Sequence, residues 1–164
     1  MGFTPRELET LNYAAILHDI GKIGIPDAIL KKPSQLNAEE WQVMRRHPEI
    51  GERILAPIPR LGEAAKLVRH HHERYGGGGY PDGLAGEAIP LGARILTVVD
   101  TYSAIRDRRI YKPAGTHEQA VMELTRCAGI QFDPHIVDIF LQEYGRRQVQ
   151  AAAVHATMDL PPSQ

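Results

Sequence analysis

No stretch of useful length in this chain alternates apolar and polar residues with the two-residue period of a strand. Helical periods instead recur from Thr4 to Tyr144. That patterning points to an all-α fold. Thr4-Pro5-Arg6-Glu7 reads as an N-cap, a first-turn proline and a capping-box glutamate. Leu8, Leu11, Ala15 and His18 follow at helical spacing, and Gly21 is the expected end of that helix. A loop from Ile23 to about Gln35 carries the breakers Pro26 and Pro33. Asn37 then caps a helix bearing Trp41 and Met44. Pro48 disfavours helical geometry at His47, which places His47 at a junction ahead of 48–55.

Leu61, Ala65, Val68 and His72 share a further stripe, with Leu67 and His71 beside it. Six glycines and two prolines between Tyr75 and Pro90 require an irregular loop. Leu91 to Arg106 is apolar on more than one face and is expected to be deeply buried. Thr116 with Gln119 caps another helix ending near Gly129. Asp133-Pro134 opens the last, with Ile136, Val137, Phe140 and Tyr144 facing inward. One domain over 1–146 is expected, with a tail over 147–164 that frays.

Composition narrows the partners. With 19 basic against 20 acidic residues the net charge is -1, which argues against bulk-charge attraction to polyanions, so no DNA partner is expected. No apolar run approaches the ~20 residues needed to cross a bilayer, so membrane insertion is not expected. The single Cys127 cannot form an internal disulfide, which suits a reducing cytoplasm.

Histidine is the outlier: there are eight, and His18, His47, His70, His71 and His72 lie in the first half. His18-Asp19 closes an apolar helix, where a carboxylate needs a partner or a metal; as a bare dipeptide it reads equally as a surface pair. Lys22 can hold a phosphoryl oxygen as a point charge or simply complement the helix dipole. Adjacent helical side chains diverge by about 100°, so His71 and His72 can serve one site only near a helix end or with two metals. His70 continues neither stripe and reads as more exposed. Asp100 sits in the most apolar helix and needs a cation, either a metal or a basic neighbour such as Arg94. Together His18, Asp19, His47, His71, His72 and Asp100 offer four imidazoles and two carboxylates. That set suits iron, manganese or zinc better than magnesium. Two ions sharing Asp19 is the economical arrangement, able to polarise phosphoryl oxygens and activate a water.

The string His18-Asp19-Ile20-Gly21-Lys22-Ile23-Gly24-Ile25-Pro26-Asp27 resembles the HD signature of the HD-GYP family. His47-Pro48-Glu49-Ile50-Gly51, His71-His72-Glu73-Arg74-Tyr75 and Gly79-Tyr80-Pro81-Asp82-Gly83-Leu84 resemble its next motifs, and Val98-Val99-Asp100-Thr101-Tyr102 with Gly129-Ile130-Gln131-Phe132-Asp133-Pro134 its closing ones. The resemblance implies an HD-domain helical bundle with a glycine-rich loop, and a two- or three-metal centre. Iron or manganese is favoured, with zinc, nickel and magnesium as alternatives. It implies hydrolysis of the 3′,5′ bonds of cyclic di-GMP to the linear dinucleotide or GMP. The six residues above become metal ligands, Asp19 and Lys22 the catalytic pair, and Lys22, Tyr80, Arg109 and Lys112 the substrate contacts. A diguanylate-cyclase or other signalling domain is the expected partner at the glycine-rich loop, and a homodimer stays open.

Three departures from the family pattern stand out. The family usually has a preceding helix that supplies a further histidine, without which a third ion is not expected and some apolar surface stands uncovered. Gly76 replaces a usual aspartate, and Gly78 is also unusual. Ser103 replaces an aspartate one turn after Asp100, and Arg108 and Ile110 replace an aspartate and a proline. These departures motivate a second expectation, a metal- or nucleotide-binding module that signals without turnover.

Overall fold

The N-caps at Thr4, Asn37 and Thr116 fall where the sequence places them. The computed structural model describes residues 2–107 and 114–158, with side chains as far as Arg147. Its helices are α1 (Pro5–Leu17), α2 (Asp27–Leu30), α3 (Ala38–Met44), α4 (His47–Leu55), α5 (Gly62–His70), α6 (Leu91–Arg106), α7 (His117–Arg126) and α8 (Pro134–Met158), with 3₁₀ turns at Ile20–Gly24 and Gly86–Ala88. Among the described residues there is no strand, only an isolated bridge between Ala128 and Phe132. Reciprocal capping boxes start α1 (Thr4 with Glu7), α3 (Asn37 with Glu40) and α7 (Thr116 with Gln119).

Two apolar clusters share α6 as a common wall. Ala14, Leu55, Ala64, Ala65, Val68 and Leu96 join α1, α4, α5 and α6. Val98, Leu124, Cys127, Phe132, Ile136 and Val137 join α6 to the α7–α8 segment. The small residues of the first cluster let helix backbones approach closely, which brings the ends of α1, α4 and α5 together.

The expectations for two helices, α1 and α6, need correction. Helix α1 stops at Leu17, before Gly21, because the chain turns at Asp19 into the 3₁₀ segment. Its buried residue is Ala14, flanked by Tyr13 and Leu17, while Leu8 is 53% exposed. The packing of α5 and α6 selects that face, not the stripe of largest side chains. Helix α6 is not buried all round: Ala93, Leu96, Thr97 and Val98 are buried, but Leu91 and Val99 are exposed. An open apolar groove of about 490 Å³ runs beside α6, lined by Phe3, Leu8, Leu11, Ile95, Val99 and Phe140 among others. At the far end, α8 runs from Pro134 through Met158.

Candidate metal centre

Helix ends build the site. His18 is the C-cap of α1 and His71 the C-cap of α5, where the last carbonyls of a helix lack intrahelical partners. The two rings use those carbonyls: His18 Nδ1 lies 2.8 Å from Ala15 O and His71 Nδ1 2.6 Å from Val68 O. His47, the first residue of α4, makes the same contact at 2.9 Å to Met44 O. A carbonyl only accepts, so each Nδ1 carries a proton, and in the neutral ring Nε2 keeps a free lone pair. Thr97 Oγ1, 2.8 Å from His71 O, ties the end of α5 to α6.

Those Nε2 atoms converge. His47 Nε2 and His71 Nε2 are 3.4 Å apart. The ring centroids of His71 and His72 are 4.0 Å apart, and those of His47 and His72 4.9 Å. His47, His71 and His72 each present a ligand atom within 4.8 Å of the others, a grouping able to hold a metal ion. Asp19 reaches across this cluster, with Oδ1 3.5 Å from His47 Nε2 and Oδ2 3.5 Å from His18 Nε2. Asp100 Oδ1 is 3.6 Å from His18 Nε2. Arg94, the alternative cation for Asp100, instead binds Asp133 at 2.7 Å. The fold thus gathers all six sequence-selected donors, drawn from α1, α4, the end of α5, α6 and the turn after α1. Lys22 Nζ sits 2.6 Å from Asp19 Oδ2.

The electrostatics favour metal-ready protonation states. Burial lowers the pKa of His47, of His71 (to about 4) and of His72 (to about 2), so all three imidazoles are neutral at pH 7. Burial pushes the Asp19 carboxyl up, but hydrogen bonds from His18 and Lys22 and the charge of Lys22 outweigh it, leaving a carboxylate well below the usual range. The hydrogen bond to Asp19 raises the pKa of His18. Neutral nitrogens of His47, His71 and His72 beside the ionised Asp19 are already in the deprotonated form that a divalent cation binds.

A pH prediction follows for the metal-free protein. Its His71 has a pKa of about 4 against an ordinary 6.5. Between those values the unfolded chain takes up a proton that the fold refuses, so stability falls as pH drops below 6.5 and the loss levels off below about 4. His71 alone contributes on the order of 3 kcal/mol at the limit. Thermal melts of chelator-treated protein from pH 7 to pH 4 should show a falling Tm. A flat profile would contradict the neutral buried imidazoles.

The glycine-rich loop closes one side. Tyr80 stacks on His72, with centroids 4.9 Å apart and planes 24° from parallel, and burial pushes its phenol up to about 12. The Tyr80–Pro81 peptide is cis. Glu73, fully buried, accepts from the backbone nitrogens of Asp82 (2.7 Å) and Gly83 (3.0 Å). A Cβ on Gly79 would lie 2.5 Å from Glu73 Cα and from Arg74 N, so the loop can cross there only as glycine. Arg69 grips Asp82 at 2.7 Å and Glu52 at 2.6 Å, pinning the loop to α4 and α5. His70, read as the more exposed histidine, turns from the cluster and pairs with Asp82 at 2.9 Å. Sequence reasoning missed Glu73, Arg69 and Arg45; charged residues at or just past helix ends carry the signature of solvated surface. Arg109 and Lys112 lie outside the described residues.

A family model described as "HD domain" matches residues 1–136. The chain is 45% identical over 152 residues to the cyclic di-GMP phosphodiesterase response regulator RpfG of Xanthomonas campestris pv. campestris, covering 92% of this chain and 40% of that one. It is 43% identical over 145 residues to a cyclic di-GMP phosphodiesterase of Vibrio cholerae, covering 84% and 30%. The chain therefore spans 30 to 40% of the length of these relatives. Among solved structures, a cyclic GMP-AMP specific phosphodiesterase of V. cholerae (V-cGAP3) superposes with a TM-score of 0.69 at 20% identity, over 98% of this chain and 45% of that one, which shows a shared fold. The chain belongs to the HD domain family and carries the motifs of its HD-GYP type.

Proposed function

We propose that this chain is the hydrolytic core of a metal-dependent phosphodiesterase that opens cyclic di-GMP to the linear dinucleotide or GMP. The observation that carries the proposal is the approach of the carbonyl-oriented His18 and His47 to Asp19 through Nε2, with His71 Nε2 beside that of His47 and Asp100 beside His18. His18, Asp19, His47, His71, His72 and Asp100 would hold two divalent ions, iron or manganese by preference, with zinc, nickel and magnesium as alternatives and Asp19 shared. Such a pair, when bound, polarises phosphoryl oxygens and makes water nucleophilic at neutral pH.

The chain's own groups do the rest. The Lys22 ammonium, held at the edge of the site by Asp19, offsets phosphoryl charge. Tyr80 walls the site against the loop, and Arg109 and Lys112 contact the substrate. The names of the curated relatives support cyclic di-GMP as substrate. No helix among the described residues is long and apolar enough to cross a membrane, and Cys127 is a free, buried thiol; a cytoplasmic location fits both. A diguanylate-cyclase or other signalling domain docking on the loop over 75–90, and a homodimer, belong to the same reading.

A second reading, a binding module without turnover, is favoured by the loop chemistry. A Cβ at Gly76 would sit 2.9 Å from Ile130 O, so the carboxylate usual there has been given up for a close backbone contact. One experiment separates the two: anaerobic purification, metal counting and a cyclic di-GMP turnover assay on the same sample. Two ions per chain, multiple turnovers and loss of activity on chelation are expected. Bound nucleotide with no product under iron or manganese would select the binding module.

A further inference from the structure

The chain's one tryptophan stands where a core residue is not needed. Trp41 lies on α3, a helix with no buried residue, and is 47% exposed. It faces a cavity of about 540 Å³ lined by Ala38, Trp41, Gln42, Arg45 and Tyr80. Helix α3 is nonetheless held firmly: its capping box joins Asn37 and Glu40, and Lys32 binds Glu40 at 2.6 Å. Arg45, four residues after Trp41 and so on the same face, sets its guanidinium carbon 5.4 Å from the Tyr80 ring centroid. Tyr80 in turn stacks on His72 of the histidine cluster. One ring therefore forms a wall of both the cavity and the candidate metal centre.

That arrangement has the chemistry of a purine site. An exposed indole offers a stacking plane for a nucleobase. An arginine fork matches the O6/N7 edge of guanine, and the Gln42 amide adds a donor and an acceptor. We propose that Trp41 and Arg45 form a base-binding subsite, in which one guanine of the cyclic dinucleotide stacks on Trp41 while its phosphate faces the metal-ligand cluster. This rests on the phosphodiesterase reading for its substrate and extends it by assigning specificity residues on α3.

Because Trp41 is the sole tryptophan, it reports on itself. Stopped-flow mixing of the metal-loaded protein with cyclic di-GMP should quench its fluorescence before turnover. Trp41→Ala should raise KM for cyclic di-GMP by about ten-fold or more. It should lower by the same factor the ratio of kcat/KM for cyclic di-GMP to that for bis(p-nitrophenyl) phosphate, which carries no base. Trp41→Phe should recover part of that ratio. Arg45→Met, which keeps the fluorophore, should weaken the quench. Unchanged fluorescence together with an equal loss on both substrates would overturn the subsite. Quenching by cyclic di-GMP without hydrolysis of either phosphodiester would uphold the subsite and sink the hydrolytic reading instead.

Discussion

Asp19→Ala is expected to reduce bound metal to less than one ion per chain and cyclic di-GMP turnover by about 10³-fold or more. The reason is geometric. Among the described residues Asp19 is the one carboxylate that lies beside both His18 and His47, at 3.5 Å each, so it is the group able to serve two ions at once. Losing several kcal/mol of charge stabilisation at the phosphoryl group corresponds to at least that rate factor. Asp19→Asn keeps the shape and a hydrogen-bond acceptor but loses the charge, and should fall nearly as far. Neither variant should unfold the protein, since Asp19 is partly exposed and makes its direct hydrogen bond to Lys22. Metal content, turnover and circular dichroism on the same samples provide the check. Full metal loading and full activity in Asp19→Ala would remove the basis for a shared carboxylate.

Gly21→Ala should be the most damaging small substitution in the chain. A Cβ there would run into the His47 carbonyl oxygen and approach the Gly51 nitrogen to 2.5 Å. Both are backbone atoms, so no side-chain rotation relieves the clash. The 3₁₀ turn carrying Asp19 and Lys22 must then move away from α4, which carries His47. Overpacking of this kind costs about 3 kcal/mol, a fall in Tm of roughly 6–12 °C for a domain of this size. Metal affinity should drop as well, because the turn and α4 hold opposite sides of the site. Gly62→Ala provides the contrast. Gly62 opens α5, and nothing lies within 4 Å of the added carbon, so that variant should melt unchanged or up to about 1 kcal/mol more stable. Equal melting temperatures for the two variants would mean that the turn and α4 do not pack as closely as described.

Much of the fold and site was legible because it depends on local chemistry. The capping boxes at Thr4, Asn37 and Thr116 concern backbone groups three residues away. Because adjacent helical side chains diverge, His71 and His72 could be referred to a helix end or to two metals, and His71 is the C-cap of α5. Contacts between distant segments were less legible. Nothing near Glu73 signals that its carboxylate is buried to hold the backbone of residues 82 and 83. Nothing near Asp100 decided between Arg94 and the histidines, and only the position of Asp133 took Arg94 away.

From its order of residues alone, this chain specified helices, their N-caps, an irregular loop over 75–90 and six candidate donor residues, because periodicity, turn chemistry and residue type are properties of short windows. The tertiary structure decided which face of α1 is buried, that Asp100 lies beside His18 while Arg94 pairs with Asp133, and where Trp41 stands. Those outcomes depend on how closely helix backbones approach one another, and that spacing is set jointly by residues such as Ala14, Gly21, Gly51 and Ala65 that lie far apart along the chain.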